Sequence, residues 1–447
     1  MEFNLFKEKL MSKAKKSGFD ECEIYYSDAE SLSINVYDGD VEKYKLNNSF
    51  GLSFRGKIND KMGYSYTEIL DENSIDTLIE NAKSAALVIE NDDTQFIYDG
   101  DSEYREINCY KDELDNIKPD KLIKLALEME SECKKQCDKV VNFGGCGIGY
   151  GKSSYGILNS KGLDLSTSRN HLTAYVVPII EDNNEKYDGM GYVIAKGESD
   201  INPEKLAKDG LEEALSRIGG RSIESGKYKV VINNEAMVSL LGTFSGIFNA
   251  EQAQKGLSLL KDKEGEIIAS DKVTLIDDPY LEDGLGTTAF DDEGVATYKK
   301  EVITNGKLNT LLYNLKTAHK ANVKSTGNGF KSSYASIVGI SPTNFYIKPG
   351  KKDFEEICKE VNNGVIITEF AGLHSGANSV TGDFSLASKG FMIENGKKTF
   401  PIEQITVAGN FFTLIKDVEE IGSDLKFPMS SVGSPCVVIK ELSIAGK

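Results

Sequence analysis

Apolar positions recur along the chain with two periods, one near 3.6 residues and one near 2, and their alternation sketches its organisation. Phe3, Phe6, Leu10 and Ala14 stand at helical spacing, which predicts a helix over residues 2–17. Strand-like stretches follow at 23–27, 32–37, 49–55 and 62–67, with turns at Asp38-Gly39 and around residues 56–60. A second helix is predicted over 73–90, where Ile75, Leu78, Ile79, Ala82, Ala86 and Ile89 share one face. Helix, antiparallel meander and helix make a small α+β unit over 1–92, and the polar, acidic stretch 93–117 reads as a linker.

The order repeats over 118–222. Pro119 favours a helix start there, since its missing N–H is unneeded in the first turn. Strands are predicted at 140–150, 153–159, 163–177 and 186–195, then a helix at 203–218 ended by Gly219-Gly220. The shared order is compatible with an internal duplication, but no residue-level repeat supports one. From residue 223 to 447 the texture changes. A strand at 228–232 precedes a helix at 235–248 with Met237, Leu240, Leu241, Phe244 and Phe248 on one side. Short strands, frequent glycine turns and one more helix at 354–361 follow. A β-branched run at 365–368 leads into a small-residue loop over 372–390, and Asn395-Gly396 between apolar runs marks a hairpin, since both central residues of a type I′ turn need positive φ. The fold class expected is α+β: two small helix–sheet units followed by a large, mostly antiparallel β C-terminal domain.

Composition narrows the functional classes. Apolar residues make up 40% and charged residues 27%, as in globular proteins. No apolar run reaches the length of a membrane span, and the N-terminal residues carry acidic groups without an apolar core, so neither a span nor a secretory signal is expected. A cytoplasmic location is the expectation. The formal charge of −18 and the lack of a basic stripe disfavour direct nucleic-acid binding. Seven scattered cysteines suggest a reducing compartment, and buried or idle thiols are favoured over a metal site at Cys133, Cys137 and Cys146. Gly144-Gly145-Cys146-Gly147-Ile148-Gly149 precedes a strand rather than a helix, which argues against a nucleotide loop.

Several segments, in order, carry a resemblance. They are Gly51-Leu52-Ser53-Phe54-Arg55 with Gly63-Tyr64-Ser65, then Leu158-Asn159-Ser160-Lys161-Gly162 and Ile276-Asp277-Asp278-Pro279. Phe290-Asp291-Asp292-Glu293-Gly294, Thr381-Gly382-Asp383-Phe384-Ser385, the run from Gly390 to Gly396 and Ala408-Gly409-Asn410 complete the set. Together they resemble the TldD/PmbA family, whose PmbA branch is also called TldE. The resemblance implies a cytoplasmic peptidase complex acting on unfolded peptides held in extended form, and an indirect modulation of DNA gyrase. It also implies that a TldD-type chain carries zinc through an HExxxH helix and a late cysteine, and pairs with a PmbA-type chain.

That chemistry needs two imidazoles one helical turn apart and a carboxylate base. Here the corresponding helix reads Ser239-Leu240-Leu241-Gly242-Thr243-Phe244-Ser245-Gly246, so the degenerate metal-site positions fall at Leu241, Gly242 and Ser245. The three histidines, His171, His319 and His374, are far apart, and the region 422–425 holds no cysteine. No catalytic residue and no metal ligand is therefore assigned, no cofactor is expected in this chain, and zinc is expected in a TldD-type partner. The partners expected are that catalytic subunit in a heterodimer, a second copy when the chain is alone, and a peptide substrate. Candidate substrate-binding residues are Thr368, Glu369, His374, Asn378, Thr381 and Asp383. His374 reads either as a surface loop residue or as a donor to a bound peptide backbone. Glu369 and Asp383 could form an acid–base pair, though loop carboxylates mostly cap and turn. Asp277, Asp278, Asp291, Asp292 and Glu293 are expected to lie in a solvated, turn-rich loop. An autonomous peptidase with an unrecognised site and a non-catalytic peptide-binding homodimer stay open as alternatives.

Overall fold

The computed structural model describes residues 1–88 and 94–447. The last two residues of the helix expected over 73–90, and the boundary expected at 92, lie outside the described residues. Two compact units divide the chain, and the predicted α+β class is what they show.

Unit one takes residues 1–215 together with 289–296 and 314–339. Its elements are α1 (Phe3–Lys16), β1 (Glu21–Tyr37), β2 (Asp40–Ile58), β3 (Lys61–Thr67), α2 (Glu72–Val88), α3 (Asp112–Asp115), α4 (Pro119–Gln136), β4 (Val140–Asn159), β5 (Asp164–Asp182), β6 (Glu185–Asp188), β7 (Gly191–Ala195) and α5 (Pro203–Ser216). The strands form one antiparallel sheet in the order β3-β2-β1-β4-β5-β6, with β7 also paired to β5. Both expected helix–sheet units thus contribute to a single sheet, joined where β1 pairs with β4.

Strand pairs predicted as separate are continuous. The polar residues Ser27 to Ser31 do not break β1, because β2 pairs them on one side and β4 on the other. Gly151-Lys152 inside β4 are held in the same way by β1 and β5. The turn Asp38-Gly39 has φ of 50° and 80°, the signature of a type I′ hairpin, and the buried Glu130 of α4 accepts the Gly39 N–H at 3.0 Å. Helices α1 and α2 bury Phe6, Leu10, Ile75, Leu78 and Ile79 against Ile24, Leu52 and Phe54. Helix α4 covers Leu32, Ile34, Cys146, Ile148 and Leu172 with Leu122, Ala126 and Met129. Residues 94–117, read above as an acidic linker, are tied to this sheet. Ile97 is buried, Asn159 donates to the Tyr98 carbonyl at 2.6 Å, and the Lys111 backbone exchanges two hydrogen bonds with the Asn170 amide.

Unit two holds residues 216–288, 297–313 and 340–447. After β8 (Gly226–Ile232), the helix α6 (Asn234–Phe244) starts where the Asn233 side chain accepts the Ala236 N–H at 2.8 Å, a side-chain N-cap. Then come α7 (Ala250–Gln254), β9 (Leu275–Asp277), β10 (Lys300–Thr304) and β11 (Lys307–Leu308). The segment lent to unit one carries α8 (Leu315–Ala321) and β12 (Gly329–Phe330), and β13 (Gly339–Ile340) and β14 (Phe345–Ile347) follow. The remaining elements are α9 (Phe354–Val361), β15 (Gly364–Ala371), α10 (Leu373–Gly376), β16 (Asp383–Glu394), β17 (Lys397–Asn410), α11 (Phe411–Leu414), β18 (Val418–Ile421), β19 (Val432–Gly433) and β20 (Val437–Ala445).

Five of these strands close into a ring, β17-β16-β15-β8-β20, because β17 pairs back onto β20. Only β8 with β15 is parallel in that ring. A second sheet, β11-β10-β9-β14-β19, is antiparallel except at β14 with β19. The predicted hairpin stands at Asn395-Gly396, with φ of 51° and 76°. The glycine-rich run 144–149 lies within β4, as expected of a strand.

Candidate functional site

The loop between β15 and β16 begins with Gly372 at φ 77°, a left-handed conformation that glycine adopts without strain. That turn sets α10 beside α6, so the small-residue loop and the helix that carries Leu241 and Gly242 are neighbours within unit two. His374 and Ser375 are exposed on α10, and His374 makes no hydrogen bond among the described residues.

The polar residues beyond it bind one another. Asn378 Oδ1 accepts the N–H groups of Val380 and Thr381, at 2.9 and 3.2 Å, and the Asn378 N–H donates to the Asp383 carbonyl at 2.8 Å. Asn410 donates to Asp383 Oδ1 at 2.9 Å and to the Thr381 carbonyl at 2.8 Å. The Asn410 amide, then Thr381, holds the Asp383 carboxyl below the usual carboxylate range. Asn378, Thr381 and Asp383 therefore shape the loop. Glu369 lies farther along the sheet, opposite Lys389, with Arg217 and Lys389 nitrogens 3.3 and 3.5 Å from its carboxylate. Asp383 lies six positions along β16 from Lys389, about 20 Å of extended strand. The structure does not bring the two acids together. Thr368 donates weakly to the Lys389 carbonyl at 3.4 Å, its one side-chain hydrogen bond among the described residues.

Helix α6 explains why no metal fits there. Leu241 is 2% exposed and packs into the core, Gly242 offers no side chain, and the Ser245 hydroxyl donates to the Gly242 carbonyl at 2.8 Å. None of these can supply an imidazole or a carboxylate. Cys436 is fully buried, its N–H donates to Asp424 Oδ1 at 2.9 Å, and burial pushes its thiol well up, away from the thiolate a metal needs. Among the described residues, no group of three or more His, Cys, Asp and Glu is placed to hold a metal ion. The residues present do not fit zinc.

Sequence reasoning missed two sets of buried acids, one in each unit. The five clustered acids are not solvated: Asp277, Asp278, Asp291, Asp292 and Glu293 are all 5% exposed or less. In unit two, Asp277 accepts from Lys300 Nζ at 2.9 Å and from the Thr343 N–H and hydroxyl at 2.6 and 2.7 Å. In unit one, Asp291 accepts three backbone N–H groups, from Glu293, Val295 and Gly329, at 2.8–3.0 Å. Glu293 accepts the Leu315 N–H at 2.7 Å, and Asp292 accepts the Lys331 N–H at 2.7 Å. Close by is a buried ion pair, Arg55 Nε to Glu23 Oε1 at 2.5 Å.

Burial works against the Arg55 charge, but Glu23, then Tyr64 and Glu293, more than offset it and hold its pKa above the ordinary arginine value. Burial lowers Lys331 to about 8 and raises Asp292 to about 6. A cavity of about 100 Å³ adjoins the cluster, lined by Arg55, Tyr64, Gln95, Glu293, Asn314 and Lys316 among others. Three segments that carry the family resemblance, ending in Arg55, containing Tyr64 and running from Asp291 to Glu293, converge here. The signal was present in those segments, but nothing local to them reveals burial.

These features define a class. The PmbA/TldA metallopeptidase domain 1 matches residues 22–86, the central domain of that class matches 112–218 and its C-terminal domain matches 225–446. The chain belongs to the PmbA/TldD metallopeptidase family. It is 30% identical to the metalloprotease PmbA of Escherichia coli O157:H7 over 74% of this chain and 71% of that one. Its structure is similar to a Thermotoga maritima protein described as a candidate modulator of a DNA gyrase, with a TM-score of 0.92, 35% identity, and coverage of 99% of this chain and 100% of that one. TldE of Thermococcus kodakarensis, at 22% identity, shares the fold with a TM-score of 0.89 over 99% of this chain and 100% of that one. No described helix is long and apolar enough to cross a membrane.

Proposed function

We propose that this chain is a PmbA/TldE-like, non-catalytic subunit that pairs in the cytoplasm with a TldD-type zinc peptidase and helps present unfolded peptides to it. One observation carries the reading: at α6, where the family resemblance puts the zinc ligands and the base, the chain has core-packed Leu241, Gly242 and self-bonded Ser245. Exposed His374 and Ser375, beside that helix, are the groups offered to a peptide backbone. Glu369, Thr368, Asn378, Thr381 and Asp383 support this surface rather than react. Any effect on DNA gyrase would run through the peptides degraded.

Metal analysis tests the assignment. The purified chain, expressed with zinc in the medium, is expected to carry far less than one zinc per chain, while a TldD-type chain prepared alongside carries about one. Stoichiometric zinc in this chain alone would overturn the reading.

A further inference from the structure

Sheet register places Arg55 between Glu23 on β1 and Tyr64 on β3. A guanidinium carries five donors in a rigid fork and does not shed its charge. Here Nε is spent on Glu23 Oε1, while Nη2 is buried with no partner among the described residues. Arg55 is 5% exposed, so the protein satisfies this fork only in part and bulk water does little to complete it. Buried donors are rarely left unmet, and a charged group short of partners calls for an acceptor.

The same side chain lines the cavity of about 100 Å³ in unit one, together with Tyr64, Gln95, Glu293, Asn314 and Lys316. That space holds several waters, or one small ion of a few heavy atoms. Its polar lining is unbalanced. Donors come from the Arg55 guanidinium, the Lys316 ammonium and the amide groups of Gln95 and Asn314. The acceptors are mostly spent within the protein. Gln95 Oε1 takes the Tyr64 hydroxyl at 2.5 Å, Asn314 Oδ1 takes the N–H and hydroxyl of Thr317 at 3.0 and 2.8 Å, and Glu293 Oε2 takes the Leu315 N–H at 2.7 Å.

Two cations therefore line the space against one carboxylate, and burial raises the Glu293 carboxyl above its ordinary value, which weakens its charge. Glu23, which occupies Arg55 Nε, does not line the cavity. A metal cation would find a single acid between two positive groups, far short of the oxygen ligands it needs. An oxyanion finds charged and neutral donors together.

We propose that this cavity is a binding site for a small oxyanion, of the carboxylate or phosphate class, anchored on the Arg55 guanidinium, with Lys316, Gln95 and Asn314 donating around it. Arginine suits both shapes, since its fork matches planar carboxylates and tetrahedral phosphates. Glu293, Asn314 and Lys316 belong to the stretches 289–296 and 314–339 that join unit one from later in the chain, while Arg55 and Tyr64 stand on its sheet. The bound anion ties those stretches to the sheet and stabilises unit one as it fills. The site does not depend on the proposed subunit role.

The test uses the full chain. Inorganic phosphate and acetate are the probes, each titrated by calorimetry at an ionic strength held constant with sodium chloride, so that general screening does not change. At least one is expected to saturate with a Kd of about 1 mM or tighter. At about a hundredfold excess over Kd it is expected to raise Tm by about 5 °C or more. Whichever saturates at the lower concentration assigns the class. Arg55→Lys keeps the charge, removes the fork and is expected to abolish binding. Because that change also disturbs a buried ion pair, Lys316→Gln at a half-buried position is the second variant, expected to raise Kd about fivefold or more with the far-UV circular dichroism spectrum unchanged. Lys124→Gln, on the exposed face of α4, leaves Kd as it was. No saturable heat and no Tm shift with either probe overturns the proposal. So does a shift that neither Arg55→Lys nor Lys316→Gln reduces, which would mark an adventitious ion only.

Discussion

Removing the Arg55 side chain should destabilise unit one more than almost any other single polar change. In Arg55→Ala the guanidinium that sits 2.5 Å from Glu23 disappears, and the Glu23 carboxyl, 2% exposed, is left buried without that partner. Glu293, 4% exposed, loses a favourable neighbour at the same time. Breaking a buried pair by deleting one member costs about 3–5 kcal/mol, mostly because the remaining charge is left buried without compensation. Over a unit of roughly 250 residues, where 1 kcal/mol moves Tm by about 2–4 °C, the expected loss is on the order of 10 °C. The chain has no tryptophan, so calorimetry and far-UV circular dichroism are the suitable probes. The double variant Arg55→Met with Glu23→Gln should lose no more than either single change, a large positive coupling in a double-mutant cycle. If Arg55→Ala stays within about 1 kcal/mol of wild type, or if the two single losses simply add, the account of a compensated buried pair fails.

Three further outcomes follow from the same physics. Leu241→Ala is expected to cost about 2–5 kcal/mol in denaturant unfolding, since Leu241 fills core rather than lining an abandoned metal site; a loss below about 1 kcal/mol would mean that the position is not packed. Gly396→Ala is expected to cost about 1–2 kcal/mol, from φ 76° and from a new Cβ 3.0 Å from the Lys359 Cα, and unchanged stability would contradict the type I′ turn. Burial lifts Asp292 to about 6, against the Lys331 N–H and ammonium, which pull it down. The folded chain then holds a proton that the unfolded chain has released between about pH 4 and 6, so this group's contribution to stability falls as pH rises through that window, by up to about 3 kcal/mol. Asp292→Asn should flatten that part of the stability profile measured by urea unfolding at pH 4 and 6.5, and an unaltered slope would count against the burial.

Much of the fold was legible wherever the signal was local. Helical spacing marked α1, α2, α4 and α5, and positive-φ pairs placed the turns at Asp38-Gly39 and Asn395-Gly396. The long strands were harder to read, because polar runs such as 27–31 are sustained by partners on both sides that the run itself does not reveal. The acids at 277–278 and 291–293 misled for a related reason. A carboxylate beside glycines looks the same whether it faces water or a buried partner, and here the partners are Lys300, Gly329 and Lys331, 23 to 39 residues away. Nor does any local pattern show that residues 289–296 and 314–339 leave the C-terminal half to complete unit one. Of the candidate site, the residue types at 241, 242 and 245 stand in the sequence itself, while the burial of Leu241 comes only from the structure. The separation of Glu369 from Asp383 was not legible in the sequence either, since it rests on strand register.

The central claim is that this chain shapes a peptidase without cutting peptides itself. Hydrolysis of an unfolded peptide by the purified chain, by a TldD-type chain from the same genome, and by their mixture tests it most directly. The account predicts no turnover by this chain alone at any zinc concentration, and turnover by the mixture above that of the TldD-type chain alone. Zinc-dependent hydrolysis by this chain alone, lost on chelation and restored on adding the metal back, would contradict it.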